Sequence, residues 1–114
     1  MASRPITSAF SAVSLTVEWK TLYTPPSDTI RSGIDALVFN NYTSSNEEFS
    51  LRIVQDGVAT DLNDVITNKA IRPMSNDLAV AAIGQSIKNG GTLQAKASSN
   101  SSISATGTVT EITS

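Results

Sequence analysis

The stretch NGGTLQAKASSNSSISATGTVTEIT, Asn89–Thr113, contains no histidine, cysteine or aspartate, and Lys96 and Glu111 are its only charges. Asn89-Gly90-Gly91 marks a turn. Leu93, Ala95 and Ala97 then alternate with Gln94 and Lys96, the period of a strand with one face turned inward. Ser98 to Ser102 is a polar connection, and Ile103 opens a second strand. In that strand Ile103, Ala105 and Val109 share a face while Ile112 lies on the other, and Gly107 is read as a bulge that shifts the register. The stretch is therefore a hairpin with small inward residues, which would let another sheet or a neighbouring chain approach closely. It carries nothing that does chemistry, and its expected role is to close a β-sandwich.

The same patterning runs through the rest of the chain. VSLTVEW places Val13, Leu15, Val17 and Trp19 on one face and Ser14, Thr16 and Glu18 on the other, a half-buried strand. Pro25-Pro26 ends it, because proline cannot continue a ladder. Ile30 to Tyr42 is apolar enough for a central strand, with Gly33 allowing a bend or bulge. EFSLRIV alternates through Phe49, Leu51 and Ile53, and Asp56-Gly57 is a tight-turn dipeptide. A further strand spans Val65 to Ile71 despite imperfect alternation at Ile66. LAVAAIG fits a strand by length, or one helical turn between strands; the strand is the reading adopted. Seven or eight short strands with turns between them predict an all-β, antiparallel sandwich, jelly-roll-like or immunoglobulin-like. The small, polar residues Met1–Ala12 are read as an N-terminal arm, and 13–114 as a single sandwich domain.

Composition bounds the chemistry. At 114 residues there is room for one core, burying roughly two-thirds of the unfolded surface. With no cysteine, disulfides, thiol catalysis and thiolate metal sites are excluded, and with no histidine the commonest general base and transition-metal ligand are missing. Charged residues make up 16% and the net charge is −2, so there is no basic field for nucleic acid. Surface polarity comes from Ser, Thr and Asn, which suit strands and are also easily desolvated at an interface. No apolar run approaches the ~20 residues of a membrane span, and no leader or membrane partner is expected.

Candidate sites are few. Asp56, Asp61 and Asp64 cluster, but their spacing is not that of an EF-hand and turn chemistry explains them equally well. Glu47 and Glu48 are adjacent on a strand and point to opposite faces, so they are not a facing carboxylate pair. Nothing in the sequence brings Glu18 to Glu111 or Asp35 as a glycosidase pair would require. NGGT lacks the lysine and helix of a phosphate loop. Neither an enzyme nor a cofactor is expected. Trp19 is read as core; Tyr23 and Tyr42, at strand ends, are the candidate exposed contacts.

The C-terminal NGGTLQAKASSNSSISATGTVTEI is similar to the ending of small bacteriophage virion proteins: a turn, G-x-L-x-A-x-A, a Ser/Asn turn, then a strand closing on an acidic and an aliphatic residue. TPPSDTIRSGIDALVFNNYTSSNEEFSLRIV also resembles them, with a proline loop before a strand carrying N-x-(T/S) and a second strand after a polar turn. PMSNDLAVAAIGQSIKNGG departs from the pattern by its irregularity. The resemblance implies a jelly-roll-like sandwich and a binding function with no catalytic residues. On it rests the expectation of a capsid decoration, or cement, protein made in the host cytoplasm. It would bind the major capsid protein on the outside of the virion, as a homo-oligomer on the particle, and stabilise the shell. The alternatives are a neck or tail protein, or a carbohydrate-binding module. The expected contact residues are Arg4, Pro5, Ile6 and Phe10 in the arm, with Tyr23 and Tyr42.

Overall fold

The computed structural model describes residues 4–55 and 59–113, and the Asp56-Gly57 turn lies outside them. In chain order the strands are β1 (Arg4–Ser14), β2 (Lys20–Tyr23), β3 (Thr29–Asn41), β4 (Glu47–Val54), β5 (Asp64–Ile71), β6 (Ser75–Asp77), β7 (Ser86–Lys88), β8 (Thr92–Ala97) and β9 (Ile103–Thr113). Short 3-10 turns sit at Asp61–Asn63 and Val80–Ala82.

The first sheet has the order β1-β9-β3-β6, with β7 also on β3, and the second the order β2-β8-β4-β5. Every pairing is antiparallel. β6 and β7 meet different parts of β3, residues 39–41 and 31–33, and act as one interrupted strand. The pairs β1·β9, β2·β8, β3·β6/β7 and β4·β5 are then nested, one hairpin inside the next. A long folded-back ribbon of this kind, wrapped so that alternate segments fall in opposite layers, is a jelly roll. The all-β, antiparallel sandwich read from the alternation is the fold observed.

The two layers meet through Phe39 of β3 and Phe49 of β4, whose rings stack at 4.1 Å. Each phenylalanine has an alanine beside it on the neighbouring strand: Ala105 is opposite Phe39 and Ala97 opposite Phe49. The small inward residues of β8 and β9 thus make room for aromatic rings of this same chain. The two strands, expected to pair as a hairpin, instead lie in opposite sheets, and the Ser98–Ser102 connection crosses between the layers. Leu15, Ile34, Leu37, Leu51, Ile87, Leu93, Ile103 and Val109 are among the other side chains of the core.

Several local expectations are corrected. Residues 4–12, expected as an arm, form most of β1 and pair with β9 from Arg4↔Thr113 onward. Few large apolar side chains are needed there, because an edge strand is held mainly by its backbone bonds. The strand expected across Val13–Trp19 ends at Ser14, and the chain crosses to the other sheet. Leu15 N donates to Ile103 O, Ala97 N to Thr16 O and Val17 N to Asn100 Oδ1, so residues 15–17 are bound to the β8–β9 corner. Leu15 is buried, whereas Val17 is 48% exposed. LAVAAIG takes the helical alternative over Val80–Ala82. Gly107 is no bulge: β9 keeps its phase, and the register shifts fall on its partners, between Phe10 and Val13 in β1 and between Ile34 and Ala36 in β3. Gly107 is needed for space, since a Cβ there would lie 2.5 Å from Ala36 O and 2.8 Å from the Phe10 ring.

Candidate interaction surface

A sandwich with open sheets has edges whose backbone groups can recruit another chain unless they are short, bent, charged or covered. Most edges here are managed. β2 has four residues and β6 and β7 three each. Gln55 lies along β7, its Nε2 donating to Ser86 O at 2.8 Å and its Oε1 accepting from Lys88 N at 2.9 Å, so one side chain substitutes for a neighbouring strand. β5 is broken by two register shifts and by Asn68 at φ 46°, and its Lys69 forms a 2.9 Å ion pair with Asp77 of β6. β1 differs. It runs for 11 residues with Arg4 as its only charge, and among the described residues only β9 pairs with it. Thr7, Ala9 and Ala12 along it are exposed.

On the opposite edge of the first sheet the β6–β7 connection presents apolar side chains to solvent. Ala79 takes the left-handed conformation (φ 48°, ψ 50°), which costs a β-carbon residue about 1–3 kcal/mol. The turn is pinned by Ala79 N donating to Asp77 Oδ2 at 2.9 Å and by the burial of Ala79 and Ala82. With those two alanines inside, Leu78, Val80 and Ile83 are turned outward, Val80 being 70% exposed. Beside them Leu62, 95% exposed, and Ala81 line a groove of about 480 Å³ whose wall is mixed, Ile53 and Val65 standing with the polar Gln55, Asn63, Asp64 and Gln85. The sequence reading missed these residues. The signal was present in LAVAAIG, an apolar run with no clean alternation, which marks apolar side chains that do not share an inward face.

The backbone of Arg4, Pro5 and Ile6 begins β1, and their side chains lie outside the described ones. Phe10 is half-buried against the core, its ring 6.3 Å from that of Tyr23. Tyr23, expected as an exposed contact, is also half-buried. Its hydroxyl donates to Glu111 Oε2 and so accepts from Ser32 Oγ at 2.8 Å. Burial, with the Glu111 bond adding to it and Ser32 opposing, pushes the Tyr23 pKa up to about 12. Tyr42 is 42% exposed, bonded to Ser14 Oγ at 3.1 Å. Asp56 and the Asp61 side chain lie outside the described residues, and Asp64 is exposed. Among the described residues no group of three or more His, Cys, Asp or Glu is placed to hold a metal.

Trp19, expected in the core, is only partly buried and belongs to the outer face of the second sheet. Arg52 Cζ lies 4.1 Å and Lys96 Nζ 4.9 Å from its ring centroid. A sugar stacked on this indole would have to displace cations already in contact with it.

One solved structure can be set against this geometry. The chain shares its fold with a chain of the T13 IBDV viral particle. The TM-score is 0.59 at 14% identity, over 97% of this chain and 31% of the other, so this chain spans about a third of the length of that neighbour. No protein-family profile and no curated protein matches the sequence.

Proposed function

We propose that this is a bacteriophage virion protein that decorates the capsid, binding the outer surface of the major capsid protein and stabilising the mature shell. The observation that carries the reading is the jelly roll spanning nearly the whole chain, an architecture also present in a viral particle. The order of loop and strand motifs similar to phage virion proteins supports the phage assignment. Two surfaces support a cementing role. The β1 edge and the apolar Leu78–Ile83 connection lie on opposite edges of the same sheet, β1 at one end of its order and β6/β7 at the other. One molecule can therefore touch two neighbours, and repetition on a symmetric shell multiplies modest contacts. A ligand that binds only the assembled lattice stabilises it by its binding free energy. In this reading β1 adds to a partner strand, with Arg4, Pro5, Ile6 and Phe10 along it, and Tyr42 and Tyr23 contribute nearby.

Quantitative mass spectrometry of purified virions tests the role. Copy number is expected to scale with the major capsid protein; a single ring's worth would indicate a neck or tail position, and absence from the particle would end the reading. The paired change Thr7→Lys with Ala9→Lys, both at exposed β1 positions, places charge on the edge. It is expected to lower shell occupancy at least about tenfold with the melting temperature unchanged, as edge charges block strand addition.

A further inference from the structure

We infer that the Trp19–Arg52–Lys96 cluster is a binding site for carboxylates, and that its ligand is an acidic segment of a partner protein. Arg52 on β4 and Lys96 on β8 occupy diagonal positions of adjacent strands, since Arg52 pairs with Gln94 and Ser50 with Lys96. At that spacing, about 7–8 Å, long side chains reach each other. Both are drawn onto one indole, which satisfies part of each charge through the ring quadrupole. Two like charges held together repel, and such an arrangement is ordinarily relieved by a carboxylate. None is supplied: among the described residues neither cation makes an ion pair. Arg52 donates through Nε to Gln94 Oε1 at 2.7 Å, which fixes the plane of the guanidinium and leaves its two Nη groups with no protein acceptor among the described residues. The Lys96 ammonium likewise has none there.

A hollow of about 180 Å³ adjoins Lys96 and is also lined by Asn68, Ser50, Ser98 and Glu48. Asn68 Oδ1 accepts from Ser50 Oγ at 3.2 Å, which orients the amide and leaves its Nδ2 as a further donor. The Lys96 ammonium and the Asn68 amide at the hollow, with the planar Arg52 fork on the other strand sharing the indole with Lys96, are donors suited to carboxylate oxygens. The size of the positive patch selects among anions. Glu48 lines the hollow, and the chain carries a net charge of −2. The footprint thus fits one or two carboxylates, whereas a nucleic acid follows a longer basic stripe. An acidic sugar is disfavoured because the indole it would stack on is already in contact with cations. This inference does not rest on the virion reading, since it concerns only the chemistry of one face of the second sheet.

Trp19 is the only tryptophan in the chain, so its emission reports on this site. Titration of the full chain with hexaglutamate at low salt is expected to give a saturable change in Trp19 fluorescence. The change should weaken as salt rises and be absent with hexaserine. Lys96→Gln is expected to weaken binding at least about fivefold, and Arg52→Gln more strongly. Circular dichroism confirms folding, and Lys96, partly exposed, keeps the test usable if Arg52→Gln unfolds. No response to hexaglutamate, or an equal response in folded Lys96→Gln, overturns the site. Tighter binding of oligothymidylate or of a sialylated sugar than of hexaglutamate overturns the peptide assignment.

Discussion

Asn41 shows how much structure one buried side chain can organise. Its Nδ2 donates to Ser45 O (2.8 Å), Ile71 O (2.9 Å) and Arg72 O (3.2 Å), and its Oδ1 accepts from Thr43 N (3.0 Å) and Thr43 Oγ1 (2.7 Å). The N-x-T of Asn41-Tyr42-Thr43 is thereby a device that turns the chain out of β3 and fastens it to the end of β5. The sequence displayed the motif, but its purpose depends on carbonyls some thirty residues away. Tyr23, half-buried, is a second polar anchor, and it makes stability depend on pH. Its hydroxyl ionises at about 12 in the folded chain against an ordinary 10.0. A raised phenol pKa means that folding favours the neutral form. The contribution is full below pH 10 and is lost as pH rises through about 12. Urea midpoints measured from pH 9 to 12 should fall more steeply in the natural chain than in Tyr23→Phe. Identical slopes would refute the assignment. At neutral pH Tyr23→Phe should cost about 1–3 kcal/mol, because the buried Glu111 and Ser32 side chains each lose a hydrogen-bond partner.

Strands were legible where both faces of the alternation are local facts, and illegible where a neighbour decides. β8 and β9 were read correctly as strands because Leu93, Ala95, Ala97, Ile103 and Ala105 all point inward in simple alternation. Their pairing as a hairpin was not, since each finds its partners in a different sheet. β1 was hidden because its residues are small and polar, and its strand character comes from the β9 backbone. VSLTVEW alternates well, yet corner hydrogen bonds to Ile103, Ala97 and Asn100 override the pattern after Ser14. The phase change within β5 is made by Asn68, which separates inward Ile66 from inward Ile71. Of the candidate surface, the β1 edge fell within the expected arm, while Leu62 and the Leu78–Ile83 connection were not seen. Gly107 gives a test at this scale. Ala36 O belongs to the backbone of β3 and yields little, so Gly107→Ala pushes Phe10 off β9. A loss of about 1–3 kcal/mol is expected, together with faster amide exchange in β1 than in β3. Unchanged stability would contradict the close approach.

The nested pairing makes the whole molecule a structure of distant contacts. β1·β9 joins Arg4 to Thr113, and β2·β8 joins Lys20 to Ala95, so only the inner pair β4·β5 is comparatively local and the outer ladders wait on distant segments. Loop closure precedes the reward of pairing, and all-β sandwiches accordingly fold in roughly milliseconds to seconds. Stopped-flow refolding followed by Trp19 should give a time constant in that range. Completion within about 100 microseconds would be inconsistent with the topology.

The antiparallel register of β1 on β9 also fixes how the sheet responds to tension. Arg4 sits beside Thr113, and the rungs continue inward to Ser14 and Ser104. Drawing Arg4 away from Thr113 loads the terminal rung alone, then the next, so the strand peels like a zipper. Drawing Ser14 and Thr113 apart along the strand axis instead loads the rungs together in shear, which resists far more. A partner strand joined to the free edge of β1 would therefore hold firmly under sliding forces along a surface. It would detach progressively under a pull at the Arg4 end, with the Phe39–Phe49 layer behind it left intact.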